Sequence, residues 1–196
     1  CRDVEAAKMI CEVSEEEEQI LNGFRKPIVL LRKKHKGWSA ISENGFIGVM
    51  LPYTPLHCLL FDDSMDMLIM TSANLSDTPI LYQNADALEK LKGIADGFLL
   101  NNREIRTRCD DSLCWVLEGT EYFARKSRGY APFPVKVPMS RGMILACGAE
   151  QKASFCLSKG QYVFQSPHIG DLKNYETYEY YTKQIAHFEH MFDLKP

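Results

Sequence analysis

Short apolar runs separated by polar segments mark the first two thirds of the chain. Five of these runs have the length of β-strands, at residues 27–31, 46–51, 67–70, 97–100 and 112–117. Ahead of the last two runs, Ala85, Leu88 and Leu91 recur at helical spacing over residues 84–92. Strands alternating with short helices predict an α/β domain.

A helix near the amino end is marked at both of its ends. Ser14 is followed three residues later by Glu17, which is the pattern of a capping box, and Gly23 is a residue that stops helices. The acidic residues at 15–18 are then the solvated first turn of this helix. We therefore expect a helix between Ser14 and Gly23.

The character of the chain changes at residues 131–138. Pro132, Pro134 and Pro138 place three prolines in seven residues, and proline has no backbone N–H to donate to a strand ladder. This composition favours an extended connector. We therefore predict two domains, at residues 1–137 and 138–196.

The second part of the chain starts a new set of elements. Strands are predicted at residues 143–147, 153–157 and 161–164, with a tight turn at 158–160 between the last two. Asn174 is the predicted cap of a helix whose apolar residues recur every three or four positions: Tyr178, Tyr181, Ile185, Phe188 and Phe192. About 60 residues bury little core, so this part either packs on the first domain or is the start of something larger. We expect the second, with the chain an internal piece of a longer protein.

Composition narrows the class of protein. The net charge is -3 and the pI about 6.0, which argues against broad binding to nucleic acid. No apolar run reaches the roughly 20 residues of a membrane-spanning helix, so a cytoplasmic protein is expected. The seven cysteines include no CxxC pair, which favours reduced thiols, and neither zinc nor another metal held by this segment is expected.

Three small polar residues follow the apolar run at 67–70. Thr71, Ser72 and Asn74 lie where α/β sheets present ligand-binding loops, so their hydroxyl and amide groups are candidate contacts for phosphate or nucleotide. The alternative is a capped turn, because serine and asparagine also occupy turns for local reasons.

Two further segments carry charge that suits phosphate. Asp110-Asp111-Ser112 is a candidate carboxylate pair for Mg²⁺ held through water, with the serine on phosphate; a charged turn before a strand is the alternative. Arg125, Lys126 and Arg128 place three cations in four residues, which suits either a phosphate clamp or an exposed strand end.

Near the carboxyl end, residues 168–171 (HIGD) can form a loop that faces phosphate or metal, or a rigid turn after Pro167.

In this order these segments resemble the HypF carbamoyltransferase family, the maturation factors of nickel-iron hydrogenases. The motifs that carry the resemblance are CRD at 1–3, RKPIVLL at 25–31, LPYTPLH at 51–57, TSANLS at 71–76, TRCDDS at 107–112, SRGYAP at 127–132, ACGAE at 146–150 and HIGD at 168–171. The TSAN element is shared with YrdC-type proteins generally, whereas SRGYAP and HIGD joined to it look specific to HypF. The resemblance implies the later part of a YrdC-like domain, an α/β fold with a twisted open sheet. The first strands and helix of an actin-like (TsaD-like) domain would follow it.

The resemblance also implies an activity. HypF proteins hydrolyse carbamoyl phosphate, adenylate the released carbamate with ATP, and pass the carbamoyl group to the C-terminal cysteine of the protein HypE. Mg²⁺ is inferred from the family as the ion that accompanies ATP. No nucleic acid and no membrane is implied as a partner. By motif, the residues expected to contact ATP or the adenylate are Thr71, Ser72, Asn74 and Ser112. Arg128 is expected to hold the phosphates during catalysis, and the second nucleotide cleft would be faced by Lys152, His168 and Asp171.

Two other functions stay open. A YrdC-type threonylcarbamoyl-adenylate synthase, acting in the modification of transfer RNA, also carries the TSAN element. The chain is alternatively a non-catalytic docking module that binds a partner through the aromatic residues of its last helix: Tyr178, Tyr180, Tyr181, Phe188 and Phe192.

Overall fold

The computed structural model describes residues 1–75, 78–138 and 142–194. The chain divides into two compact units, one formed by Cys1–Ile69 with Asp111–Ala131 and the other by Met70–Asp110 with Pro132–Pro196. This division by packing differs from the predicted domain boundary at residues 137–138, which stays a prediction.

The first unit is a four-stranded mixed sheet with short helices. The sheet has the order β2-β1-β3-β4; β1 pairs with β3 in parallel, and the other two pairs are antiparallel. Its strands are β1 (Ile28–Arg32), β2 (Phe46–Val49), β3 (Leu113–Leu117) and β4 (Thr120–Arg125). Its helices are α1 (Val4–Ile10), α2 (Glu15–Asn22) and α3 (Pro55–Leu59), with one 3₁₀ turn at Lys36–Trp38.

Helix α2 begins and ends where the sequence predicts. The Ser14 hydroxyl accepts the Glu17 N–H at 3.2 Å, and the Glu17 carboxylate accepts the Ser14 N–H at 2.8 Å. Gly23 is the residue at its carboxyl end. Helix α1 was not expected from the sequence, although Asp3 caps it by accepting the Ala6 N–H at 2.8 Å. The capping residues therefore predicted α2, whereas the capping residue of α1, Asp3, was not recognised in the sequence.

The core of the first unit lies between the sheet and helices α1 and α2. Val29 and Leu31, which point to one face of β1, are fully buried. They pack with buried residues from the two helices and the neighbouring strands, which are Val4, Ala7, Ile10, Cys11, Leu21, Val49, Leu51 and Cys114. The alternation along β1 is the pattern of a strand buried on one side.

The second unit contains α4 (Asn84–Lys90), a four-stranded antiparallel sheet and the long helix α5 (Tyr175–Phe192). The sheet has the order β5-β8-β7-β6. Its strands are β5 (Pro134–Lys136), β6 (Leu145–Cys147), β7 (Phe155–Lys159) and β8 (Tyr162–Gln165). The mixed α/β class is as predicted for both units.

Two predicted runs and one predicted connector differ from the structure. Residues 67–70 and 97–100, both in the described part of the chain, form no strand, and Ile69 and Leu99 are largely exposed. An apolar run becomes a strand only when a second strand satisfies its backbone groups. The proline-rich connector instead forms β5, which lies at the sheet edge and pairs with β8. Proline is tolerated there because an edge strand leaves some of its N–H positions unpaired.

Helix α5 buries a narrower stripe than predicted. Asn174 caps it by accepting the Thr177 N–H at 3.2 Å. The predicted apolar face is buried at Tyr181 and Phe188, which contact Phe155, and Ile185 and Phe192 pack beside them. Tyr178, which was predicted on the same face, is about half exposed. Because Tyr181 and Phe188 belong to the core, the aromatic stripe is mainly a packing feature and not a free docking surface.

Candidate functional site

Ser112 and Arg128, predicted separately, are bonded to each other in the first unit. The Ser112 side chain is completely buried; its hydroxyl donates to the Arg128 carbonyl at 2.9 Å and accepts the Ser127 N–H at 2.7 Å. A serine hydroxyl has a single proton, so the donor of Ser112 is already used within the protein. The predicted donation to phosphate stays a prediction and has to compete with this bond.

The Arg128 guanidinium joins four segments of the chain. Its Nε donates to the Asp111 carboxylate at 2.6 Å, while Nη1 and Nη2 donate to the carbonyls of Arg25 at 3.0 Å and Lys26 at 2.6 Å. Its central carbon lies 3.3 Å from the ring centroid of Tyr53. Arginine carries five N–H donors, so one on Nη1 and one on Nη2 are not used by these bonds. The side chain is thus held rigidly by these contacts.

Backbone conformation explains the glycine after this arginine. Gly129 has φ +84°, and a Cβ there would lie 2.8 Å from the Arg25 carbonyl oxygen. Only glycine satisfies both conditions. The same carbonyl accepts from Arg128, so the close approach and the hydrogen bond belong to one contact. Lys26 itself has φ +45°, a costly conformation for a lysine.

The surroundings of this network are positive. Arg125 donates from Nε to the Asp111 carbonyl at 2.8 Å, and the Lys126 ammonium lies 4.9 Å from the Phe123 ring. The basic side chains placed here are Arg125, Lys126 and Arg128, with Arg25 beside Tyr130, whereas Lys26 contributes its backbone carbonyl. The carboxylate bonded to Arg128 is Asp111. In a chain whose net charge is -3, this local excess of cations favours an anionic ligand.

Tyrosines border the network on two sides. The Tyr130 hydroxyl donates to the Glu121 carboxylate, and the Arg25 guanidinium lies 4.6 Å from the Tyr130 ring centroid. Burial, reinforced by Glu121, raises the pKa of Tyr130, and burial likewise raises the pKa of Tyr53. Both phenols therefore stay neutral at physiological pH, and neither offsets the positive charge of the network.

The TSAN loop belongs to the second unit. The Ser72 hydroxyl donates to the Asn74 side-chain oxygen, and Asn74 Nδ2 donates to the carbonyls of Leu75 at 2.9 Å and Thr78 at 3.0 Å. Thr71 and Ser72 are exposed. These bonds make a turn that is closed on itself and has accessible hydroxyls. This structure is compatible with both alternatives, the capped turn and the ligand-binding loop, so the nucleotide role stays a prediction. Ser76, the last residue of the motif, lies outside the described residues.

The HIGD segment is fixed to the start of β7. Ala153 and Gly170 form an antiparallel bridge, in which Ala153 donates its N–H to the Gly170 carbonyl at 2.9 Å and accepts from Ile169 at 2.9 Å. The bridge sets the backbone of Lys152 across from that of Asp171. Both residues are exposed, and the Asp171 carboxylate accepts the Lys173 N–H at 2.9 Å. The structure therefore brings Lys152, His168 and Asp171 to one loop pair; their role at a nucleotide cleft stays a prediction.

A group of contacts beside this loop was missed at the level of sequence. His168 Nδ1 lies 2.9 Å from the Asp110 carboxylate. The Arg108 guanidinium lies 3.9 Å from the Tyr180 ring centroid, and the Tyr180 hydroxyl donates to the Arg108 carbonyl at 2.9 Å. Burial lowers the pKa of Arg108 and raises the pKa of Tyr180 to about 12. The alternation of Arg108 and Asp110 before β3 is the one sequence signal that pointed to a shared face.

The expected magnesium pair takes a different form. Asp110 is bonded to His168, and Asp111 is bonded to Arg128, so each carboxylate already has its own partner. Within the described ranges, no three His, Cys, Asp or Glu side chains come together as a metal site. The predicted Mg²⁺ pair therefore has to compete with these two bonds and stays a prediction.

Two general features complete the description. The cysteines are present as thiols, and burial raises the pKa of Cys11 to about 11 and that of Cys114 to about 12. In the part of the chain that is described, no helix has the length and apolar character needed to cross a bilayer.

Comparison with protein families finds two matches. The Sua5/YciO/YrdC model, described as "Telomere recombination", matches residues 1–127. The model of the HypF Kae1-like domain matches residues 139–196.

Individual proteins agree with these matches. The chain is 41% identical to the probable carbamoyltransferase HypF of Methanocaldococcus jannaschii over 90% of its length, and 38% identical to the carbamoyltransferase HypF of Synechocystis sp. over 92%. In each case the chain spans 24% of the relative, about a quarter of its length.

Solved structures give the same result. Over its whole length the chain is similar to full-length HypF in a phosphate- and nucleotide-bound form, with a TM-score of 0.91 and 46% identity, covering 26% of that chain. It is also similar to HypF of T. kodakarensis, with a TM-score of 0.90 and 37% identity, again covering the whole chain and 26% of that structure.

Proposed function

Since the chain belongs to the HypF carbamoyltransferase family, we propose that the protein forms carbamoyl-adenylate from carbamoyl phosphate and ATP and then transfers the carbamoyl group. The first part of the chain is a Sua5/YciO/YrdC domain. The acceptor is the C-terminal cysteine of HypE, in the maturation of nickel-iron hydrogenases. Residues 1–137 are the later part of the YrdC-like domain, and residues 138–196 begin the TsaD-like domain.

One observation carries the proposal. The whole chain follows the fold of a HypF that was solved with phosphate and nucleotide bound, at a TM-score of 0.91 and 46% identity. The positive network around Arg128 supports a phosphate ligand in the first unit, because a guanidinium is always charged and carries more N–H donors than its bonds to Asp111, Arg25 and Lys26 use. By motif, Thr71, Ser72, Asn74 and Ser112 are also proposed to contact ATP or the adenylate.

The proposed roles follow from how each group is held. Arg128 contacts the phosphates directly and stabilises the charge that shifts during adenylation, because its guanidinium is fixed before the reaction. Mg²⁺ accompanies the ATP phosphates rather than residues of this chain. Lys152, His168 and Asp171 face the second nucleotide cleft. The compartment proposed is the cytoplasm, where cysteines are kept as thiols.

ATP–pyrophosphate exchange by the full-length gene product tests the proposal. Exchange that depends on carbamoyl phosphate is expected, and Arg128→Ala is expected to lower it about 10²–10³-fold. Arg106→Ala is the matched control, because that side chain is 84% exposed, and it leaves exchange unchanged.

Three results would contradict the proposal in different ways. Exchange driven by threonine plus bicarbonate instead assigns the protein to threonylcarbamoyl-adenylate synthesis. Exchange with carbamoyl phosphate that survives Arg128→Ala rejects only the role of that arginine. No exchange with either substrate rejects adenylate formation altogether.

A further inference from the structure

His168 and Asp110 form a dyad of the kind that prepares an imidazole to accept a proton. The distance from Nδ1 to the carboxylate oxygen is 2.9 Å, and the two side chains are only 17% and 21% exposed. An ionised carboxylate only accepts hydrogen bonds, so Nδ1 carries the donated proton. In the neutral ring the lone pair then lies on Nε2, the opposite nitrogen.

The second nitrogen of this histidine is available. Nε2 of His168 makes no hydrogen bond to any described residue, and it is not among the buried side-chain atoms that lack a partner, so it reaches the surface. An ion pair that only fixed the loop would not need an imidazole with one nitrogen left open. The geometry is that of a base positioned by a carboxylate.

Both members of the dyad are held by rigid elements of the second unit. Tyr180, on helix α5, fixes the segment that carries Asp110, because it donates to the Arg108 carbonyl and stacks against the Arg108 guanidinium. The bridge between Ala153 and Gly170 fixes the segment that carries His168. A positioned base has to be supported in this way, since a loose side chain loses much of its effect.

We propose that His168 is the general base of the carbamoyl-transfer step and that Asp110 is its positioning residue, a role that rests on the function proposed above. The acceptor thiol gives its proton to His168 Nε2, and its sulfur forms a bond to the carbamoyl carbon. The bond from that carbon to the phosphate oxygen breaks, and AMP leaves with the electron pair. Asp110 keeps the Nδ1–H tautomer and stabilises the imidazolium that results.

The experiment separates the two partial reactions in the full-length gene product. ATP–pyrophosphate exchange reports adenylate formation, and mass spectrometry of HypE reports transfer to its cysteine. His168→Gln is expected to leave exchange within about twofold of wild type and to lower the transfer rate about 10²–10⁴-fold, mainly in kcat. Asp110→Asn is expected to lower transfer about 10–100-fold, because asparagine does not fix the tautomer in the same way.

A second readout tests the positioning role directly. Nitrogen NMR of His168 is expected to show the Nδ1–H tautomer in the wild type and a shift toward Nε2–H in Asp110→Asn. His187→Gln is the control for histidine loss, because His187 is exposed on helix α5, and it is expected to change neither reaction nor tautomer.

The outcomes separate this inference from the function on which it rests. Normal exchange with undiminished transfer in His168→Gln overturns the base while leaving the proposed function intact. Equal loss of exchange and transfer in both variants, with a lower melting temperature, assigns the dyad a purely structural role and also overturns it. Wild-type protein without exchange overturns both proposals.

Discussion

Replacement of Gly129 by alanine tests the packing of the Arg128 network. The change places a Cβ 2.8 Å from the Arg25 carbonyl oxygen, with Cα and Cβ of Arg25 at 3.2 and 3.1 Å. That oxygen also accepts from Arg128, so it cannot retreat without weakening the bond that holds the guanidinium. Gly129→Ala is therefore expected to be strongly destabilising.

Gly119→Ala is a matched control for the backbone cost. Gly119 has φ +73°, close to the +84° of Gly129, but a Cβ there meets nothing within 4 Å. It lies in the turn between β3 and β4, where Glu118 also has positive φ, as two-residue hairpins require. Both variants are expected to lose about 1–2 kcal/mol of stability, because alanine has to adopt a positive φ. Only Gly129→Ala adds a steric contact, worth about 1–3 kcal/mol more.

Urea unfolding followed by tryptophan fluorescence measures this difference. Both tryptophans, Trp38 and Trp115, lie in the first unit, so the signal reports the unit that contains the two glycines. With a slope of roughly 2 kcal/mol per molar urea, the midpoint of Gly129→Ala is expected about 0.5–1.5 M below that of Gly119→Ala. Equal midpoints for the two variants would refute the close approach of residue 129 to Arg25.

Three further predictions concern the first unit. Lys26→Gly is expected to be about 1 kcal/mol more stable than Lys26→Ala in thermal unfolding, because only glycine adopts φ +45° without strain; a more stable alanine variant would contradict this. Ser112→Ala should lower the free energy of unfolding by about 1–3 kcal/mol, because it removes the hydroxyl that accepts the buried Ser127 N–H. Ser64→Ala, at an exposed hydroxyl, is the control and should have little effect. Equal effects of the two changes in urea titrations would argue against the buried bond. Burial raises the pKa of Cys11 to about 11, so on raising the pH the thiol of the unfolded chain loses its proton before that of the folded protein. The free energy of unfolding should therefore fall as pH rises from 9 to 11, and it should fall less in Cys11→Ala. Identical pH profiles for the two proteins would exclude the effect.

Interactions close in sequence were predicted well. Ser14, Gly23 and Asn174 marked helix ends because a cap depends on residues within one turn of it. The motif residues Ser112 and Arg128 were identified as members of one site by resemblance, but their mutual bond was not. Residues 16 positions apart meet only because β3 and β4 form a hairpin and the chain then returns beside β3.

The sequence by itself determined the α/β class, most of the helices and strands, and the motifs that identify the family, because periodicity, caps and motif order are local properties of the chain. Only the tertiary structure decided which apolar runs became strands, that the proline-rich segment became an edge strand, and which partner each of Asp110 and Asp111 took. These outcomes depend on backbone pairing and burial between distant segments. A residue's own neighbours in sequence do not specify such contacts.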